Sequence, residues 1–335
     1  MELKGKRFLV IGGAGLIGSH TVDALLREDV GEVVVFDNLS RGRLENLAGA
    51  LRDPRCRLFE AGGDLLHPEL LRAAMQGIDG VFHFAALWLL HCWDYPRSAF
   101  DVNVAGTFNV LEALLDAGVK RLVYSSSASV YGDAVEEPMT EDHPFMNTTF
   151  YGATKVAGEQ FARALHHRWR GTPRHFDYVG LRYMNVYGPR QDYKGAYIAV
   201  IMKMLDRLDR GEAPVIYGDG SQAYDFVYVE DCARANVCAM RAEATDRFYN
   251  VGTGIRTSIA DLTRLVIAAA GVAVEPRHEP AGQTFVKNRI GCPRRAREEL
   301  GFEATVALPE GLARLVDWRR AHAAEVAARR GDRPG

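Results

Sequence analysis

The sequence predicts an α/β fold: a doubly wound parallel sheet with a smaller C-terminal α/β unit beside it. Three observations lead there. Short apolar runs rich in β-branched and aromatic residues alternate with helical stretches through about residue 180. A glycine trio separates the first apolar run from the first helical stretch. The alternation then loosens beyond the Gly188-Pro189 pair.

Taken in order, KRFLVIGG, EVVVFDN, CRLFEAG, GVFHFAA and KRLVYSSS read as strands, and HTVDALLRE, PELLRAAM and VAGTFNVLEALLDAG as the helices between them. The strand runs are continuously apolar rather than alternating, as suits parallel strands buried on both faces. A long helix follows from Tyr151, YGATKVAGEQFARALHHRW, and then the strand FDYVGLRYMNVYG. Later segments are AYIAVIMKMLDRLDRGE, VIYGDG, DFVYVEDCARANVCAM, YNVGTG, a helix near Ser258 to Ala270, and a closing helix through GLARLVDWRRAHAAEV. The expected division is a main domain of 1–180 plus about 218–255, and a smaller domain of about 181–217 and 256–327. Residues 328–335, rich in Arg and Gly, are expected to be disordered.

Composition narrows the function. A formal net charge of -2 provides no basic field for nucleic acid or anionic membrane, so a small molecule is the expected partner. Without an apolar run of about 18 residues, and with a start that enters a strand directly, the chain reads as cytoplasmic and not membrane-bound. Cys56, Cys92, Cys232, Cys238 and Cys292 are scattered, without a CxxC pair, so neither a disulfide framework nor a zinc site is expected, and no metal.

Gly12, Gly15 and Gly18 in FLVIGGAGLIGSH have a spacing that lets backbone approach a pyrophosphate at a helix N-terminus, with Leu16 and Ile17 in that first turn. Asp37, at the end of the next strand, is placed to accept hydrogen bonds from an adenosine ribose, with Asn38 beside it. A carboxylate there repels a 2′-phosphate, so NAD is the expected cofactor; Arg41 and Arg43 read as a solvated loop face. Tyr151 and Lys155 share one helix face, and a serine cluster containing Ser127 ends a strand about 25 residues earlier. In such a set Lys155 and an oxidised nicotinamide lower the Tyr151 pKa from about 10, making it a general base. Ser127 hydrogen-bonds the reacting oxygen.

With these motifs the chain resembles the NAD-dependent epimerase/dehydratase family, extended short-chain dehydrogenases with a Rossmann-type domain that include UDP-glucose 4-epimerase. The resemblance spans GGAGLIGSH (12–20), DNLS (37–40), GDL (63–65), FHFAA (82–86), NVAGTFNVLEA (103–113), SSSASVYG (125–132), YGATK (151–155), LRYMNVYGPRQ (181–191) and YGDGSQAYDFVYVED (217–231). It implies that Asp64 and Leu65 border the adenine, that Phe84, Ala85 and Ala86 line the path to the nicotinamide, and that Asn103 sits near the cofactor. It places Asn185 at the substrate phosphates. Dehydratases of the family carry an Asp-Glu pair after the catalytic hydroxyl, where this chain has Ala128 and Ser129. The glutamate of the decarboxylases is absent too. What the resemblance implies is an epimerase of a nucleotide-activated sugar, acting at C4 through a keto sugar with hydride lent to NAD and returned. A reductase, a dehydratase or a non-catalytic NAD sensor are the alternatives.

Two departures fall where the diphosphate should be held. Relatives often read Arg-Asp-Phe where Tyr224-Asp225-Phe226 stands, and a later arginine is missing where Glu279 and Pro280 stand. Either Arg190, Lys194, Lys287 or Arg289 takes over that charge, or the substrate is not an ordinary nucleoside diphosphate sugar. A third departure is ALWLLHCWDYPRSAF (86–100), with Trp88, His91, Cys92 and Trp93, which reads either as an apolar helix on the core or as an aromatic sugar platform with His91 as a polar contact. A homodimer is expected through helices near 98–116 and 150–169, although core packing explains their apolar faces equally.

Overall fold

The computed structural model of the chain describes residues 1–191, 200–281 and 286–330; the candidate Lys194 lies outside them. The main sheet is built from β1 (Arg7–Ile11), β2 (Glu32–Phe36), β3 (Cys56–Leu58), β4 (Gly80–His83), β5 (Arg121–Ser127) and β6 (Asp177–Tyr183). After the short strands β7 (Asn185–Tyr187), β8 (Val215–Tyr217), β9 (Ala223–Tyr224) and β10 (Phe226–Tyr228), the chain returns to it with β11 (Arg247–Val251). The order is β11-β6-β5-β4-β1-β2-β3, parallel throughout.

Helices cover both faces: α1 (Leu16–Leu26), α2 (Pro68–Ala74), α3 (Leu89–Asp94), α4 (Pro96–Ala99), a π-helical turn over Phe100–Gly106, α5 (Thr107–Ala117), α6 (Phe150–Trp169) and, after α7 (Val200–Asp209) of the smaller unit, α8 (Val229–Arg241). They are followed by α9 (Ile259–Ala270), α10 (Arg294–Leu300), α11 (Leu308–Ala321) and α12 (Ala323–Arg330). Strand periodicity sorts β1 between the layers. Phe8 and Val10 pack with Val22, Leu25 and Ala235 of α1 and α8, while Leu9 and Ile11 pack with Leu71, Val110 and Leu114 of α2 and α5. All four β1 residues are fully buried, so each contributes roughly 1.5–3 kcal/mol by its removal from water. That two-sided burial is why the strand sequences are continuously apolar.

A separate apolar cluster joins Tyr187, Ile201, Leu205, Phe226, Leu262, Leu312, Leu315 and Val326. It packs α7, α9, α11 and α12 on the β7–β10 pair, beside the C-terminal edge of the main sheet. Between β1 and β4 the strand order reverses direction, which opens a crevice beyond the strand ends, the place where open α/β sheets bind ligands. Residues 328–330 depart from the expected disorder: α12 runs through Arg330 and Arg329 is buried. The Arg-rich composition suggests disorder, whereas here Arg329 and Arg330 are paired with Glu325 and Asp206. Among the described residues no helix is long and apolar enough to cross a membrane.

Candidate active site

The crevice is a cavity of about 990 Å3 beyond the C-terminal ends of β1, β2, β4, β5 and β6. Its cofactor end is made of backbone. Gly12 has φ +79, and a Cβ there would stand 2.6 Å from the Ala85 amide nitrogen; at Gly18 a Cβ would stand 2.2 Å from the Gly12 carbonyl oxygen. Only glycine permits this close turn, which leaves the N-terminus of α1 bare beside the cavity. Gly15, Leu16 and Ile17 line it as expected.

Asp37 follows β2 and lines the same cavity. Its carboxylate accepts hydrogen bonds from the amides of Ala14 (2.9 Å) and Leu39 (2.8 Å). Burial raises its pKa and those two bonds oppose the rise. Asn38, Asp64, Leu65, Phe84, Ala85 and Ala86 complete this wall. The Asp64 carboxylate also accepts from the Leu66 amide at 2.9 Å, closing the turn.

Asn103 departs from the expectation. It is absent from the cavity wall and buried behind it, in the π-helical turn. The Leu87 amide donates to its Oδ1 at 2.7 Å, and its Nδ2 donates to the Leu87 carbonyl (3.0 Å) and Thr154 Oγ1 (3.2 Å). Its amide, which also reaches Cys92 Sγ at 3.5 Å, fixes from behind the wall the strand-to-helix segment that carries Trp88.

At the catalytic end Ser127, Tyr151 and Lys155 converge on the cavity. Ser127 ends β5, and its hydroxyl caps the next turn by accepting from the Ser129 amide at 3.1 Å. Tyr151 and Lys155 sit in the first turns of α6, whose start is fixed by Thr149 accepting from the Gly152 amide at 3.1 Å. The Lys155 ammonium is buried, donates to the Ser125 carbonyl at 2.7 Å, and lies 5.7 Å from the Tyr151 ring centre. Burial pushes the Tyr151 hydroxyl up to about 12, while a hydrogen bond from Ser127 pulls it down. Burial brings Lys155 down to about 8, opposed by Cys92 and Glu159.

Beneath this set lies a buried polar network that the sequence motifs do not announce. Glu159, one turn beyond Lys155, accepts from Arg182 Nε (2.8 Å), Arg182 Nη2 (2.7 Å) and Ser126 Oγ (2.6 Å). Arg182 continues to Tyr131 Oη (2.9 Å) and the Glu141 carbonyl (2.9 Å), and Tyr131 donates to Asn250 Oδ1 at 2.7 Å. Paired this way, a buried charge fixes β5, α6 and β6 relative to one another.

The remaining candidates divide. Asn185, Trp88, Arg190 and Tyr224 line the cavity. Among the described residues the buried Asn185 Nδ2 has no hydrogen-bond partner, as fits an amide that can donate to a ligand oxygen. Trp88 is capped by the Arg41 guanidinium, 3.6 Å from its ring centre, so Arg41 is a cavity residue and not merely a solvated one. His91 does not line the cavity; it packs behind Trp88 with ring centres 5.0 Å apart. In the same stretch Cys92 is fully buried while Trp93 and Tyr95 are exposed. Arg190 pairs with Asp23 of α1 at 2.7 Å, and Tyr224 donates to the Val286 carbonyl at 2.7 Å. Arg289 lies opposite Tyr224 in the small sheet but lines a neighbouring cavity of about 240 Å3 with Ser129, Asn147 and Thr149. Lys203 and Arg207 of α7 and Arg210 just after it also line the main cavity, and sequence motifs did not single them out.

His166, His175 and Asp177 bring ligand-type atoms within 4.8 Å of one another, at the other end of β6 from the cavity. Arg170 already reaches His166 Nε2 at 3.4 Å.

The sequence profile of the NAD-dependent epimerase/dehydratase family matches residues 8–252. A UDP-glucose 4-epimerase of Mycolicibacterium smegmatis is 37% identical over 319 residues, covering 94% of this chain and 98% of that protein. A protein of Methanocaldococcus jannaschii described as a putative UDP-glucose 4-epimerase is 34% identical over 315 residues, covering 93% of this chain and 98% of its own length. Among solved structures, the UDP-N-acetylglucosamine 4-epimerase of Methanobrevibacter ruminantium in complex with UDP-N-acetylmuramic acid superposes with a TM-score of 0.88 at 31% identity, over 95% of this chain and 99% of that one. The dTDP-glucose 4,6-dehydratase DesIV of Streptomyces venezuelae with NAD and TYD bound gives 0.84 at 30%, over 95% and 98%. Together with the glycine turn, the Asp37 carboxylate and the Ser127-Tyr151-Lys155 set, these matches show that the chain is an NAD-dependent enzyme belonging to the NAD-dependent epimerase/dehydratase family.

Proposed function

We propose that the protein is an epimerase of a nucleoside diphosphate sugar, inverting C4 through a transient 4-keto sugar. The observation that carries this reading is the set of carboxylates on the main cavity wall: among the described lining residues these are Asp37, Asp64 and Asp206. Asp37 and Asp64 are at the cofactor end, and Asp206 is paired with Arg319 at 2.7 Å. None is placed beside Tyr151 to remove a second proton, which eliminating water requires.

Bound NAD supplies a hydride acceptor and donor. The residues of the chain do the rest. Tyr151 takes the proton of the C4 hydroxyl as the carbon is oxidised and returns it when the opposite face is reduced. Ser127 holds the reacting oxygen by a hydrogen bond. Burial holds the Tyr151 hydroxyl up at about 12, contrary to the lowering expected from the motif. The positive charge of Lys155, held by the Ser125 carbonyl, and of the oxidised nicotinamide therefore has to offset that rise. Asn185 donates to a substrate phosphate, and Trp88 provides an apolar face for the sugar ring. The substrate side is formed by residues of about 181–217 and 256–327, with Arg190 and the α7 cations supplying charge for the diphosphate in place of the arginine that Tyr224 replaces.

Mass spectrometry of the purified protein for retained NAD, followed by incubation with UDP-, dTDP-, GDP- and CDP-sugars without added cofactor, tests this directly. Isomer formation at unchanged mass is expected. Loss of water identifies a dehydratase instead, and turnover only with added NAD(P)H a reductase. A homodimer formed through 98–116 and 150–169 belongs to the same proposal, supported by the exposure of Phe100, Phe108 and Phe150 on those segments. Light scattering at the monomer mass would remove it.

A further inference from the structure

Consecutive residues at the end of α12 reach two separate residues of the active-site cavity wall, Asn46 and Asp206. Arg329 is 3% exposed and lines the cavity. It pairs with Glu325 one turn earlier and donates to Asn46 Oδ1 at 2.5 Å and to the Arg190 carbonyl at 3.0 Å. With Oδ1 engaged, the Asn46 amide turns its Nδ2 to the Ala14 carbonyl, 2.7 Å away inside the glycine turn. The Ala14 amide in turn donates to Asp37 Oδ2 at 2.9 Å. A continuous chain of hydrogen bonds therefore runs from α12 to the carboxylate expected on the cofactor ribose. The next residue, Arg330, reaches Asp206 of α7 at 2.9 Å and pairs also with Asp209, which Arg319 of α11 reaches at 2.6 Å.

We propose that Arg329 is a positioning residue for the cofactor site: it holds the glycine turn and the 38–47 loop in their NAD-binding form and, through Arg330, ties that form to the position of α7. The Asn46 side chain is the transmitting link. Short polar side chains in such loops choose freely among local partners, and a buried guanidinium on Oδ1 removes that choice. Retention of NAD is then coupled to the docking of α12, so the cofactor leaves only when this contact opens.

The inference depends on NAD binding and not on which sugar is turned over, so its failure is separable from failure of the epimerase reading. The test is the rate of NAD release from the full-length protein, followed by exchange of bound NAD for a labelled NAD in excess. Arg329→Met should speed release by about ten- to a hundredfold, the factor expected for one lost charge-assisted hydrogen bond. Arg329→Lys, which keeps the charge on a single donor nitrogen, should recover part of it. Asn46→Ala should speed release similarly, and the double variant should be no faster than either single one, because both break one chain. Wild-type release in Arg329→Met, or additive effects in the double variant, would overturn the proposal. Should Arg329→Met fail to fold, Asn46→Ala decides alone: fast release supports the coupling and wild-type release refutes it.

Discussion

Removing the arginine of the buried pair under the catalytic serine strand tests how the site is held. Glu159 is fully buried and receives two hydrogen bonds from Arg182, at 2.8 and 2.7 Å, and one from Ser126. In Arg182→Met the carboxylate keeps only the serine, and an uncompensated buried charge costs about 3–5 kcal/mol. The Glu141 carbonyl also loses its donor, which places the expected loss toward the upper end. For 335 residues, an unfolding entropy of about 2.1 cal/mol/K per residue amounts to about 0.7 kcal/mol/K. The melting temperature should therefore fall by about 4–7 °C, measured by circular dichroism with saturating NAD. Changing Glu159 to Leu in the same chain removes the stranded charge and should restore at least half of the loss. A drop below about 1 °C in the single variant, or a further drop in the double, would refute the assignment of this pair as the anchor of β5, α6 and β6.

Other changes read the site itself. Tyr151→Phe should leave NAD retention intact and lower turnover by about a hundredfold or more, measured as isomer formed per mole of holoenzyme, since only the proton relay is lost. Gly12→Ala demands a left-handed conformation and a Cβ 2.6 Å from the Ala85 nitrogen, so the purified protein should carry little or no NAD by mass spectrometry. Asp37→Ala should weaken NAD more than NADP in equilibrium binding, whereas equal losses would remove the ribose assignment. Burial holds His20 and His83 down at about 3, against 6.5 when unfolded. The unfolded chain therefore binds the extra protons between those values, and stability falls as pH drops from about 6.5 toward 3. At about 1.4 kcal/mol per tenfold change in proton affinity, each histidine accounts for at most about 5 kcal/mol, so urea midpoints should fall steeply below pH 6 and less steeply in His83→Gln.

What was legible in the sequence is what local spacing encodes. The glycine turn, the carboxylate ending the second strand and the Tyr151–Lys155 helix face each depend on residues within one or two elements, and the structure brings them to one cavity. The continuous apolar strands likewise gave the parallel sheet, because two-sided burial leaves that signature. Contacts between distant elements leave none. Glu159 and Arg182 are 23 residues apart, and a charged pair in an apolar setting looks like two surface residues until β6 is laid beside β5. Asn103 was read as a cofactor contact from its motif, but its partner Leu87 is 16 residues away and reachable only through the π-helical turn. The aromatic segment divides, with Trp88 on the cavity wall, Cys92 buried and His91 packed against Trp88 off the wall. Arg329 and Arg330 fall in the end expected to be disordered because their partners, Asn46, Asp206 and Asp209, come from distant parts of the chain.

The central claim is that a hydride leaves the sugar carbon and returns to it, with Tyr151 handling only the hydroxyl proton. The measurement is turnover of a nucleotide-sugar substrate in deuterium oxide without added cofactor, with the product examined by mass spectrometry and proton NMR. The account predicts the C4 epimer with protium retained at every carbon, since the hydroxyl deuteron exchanges away on return to ordinary water. Deuterium fixed on carbon, or a product lighter by one water, would contradict it.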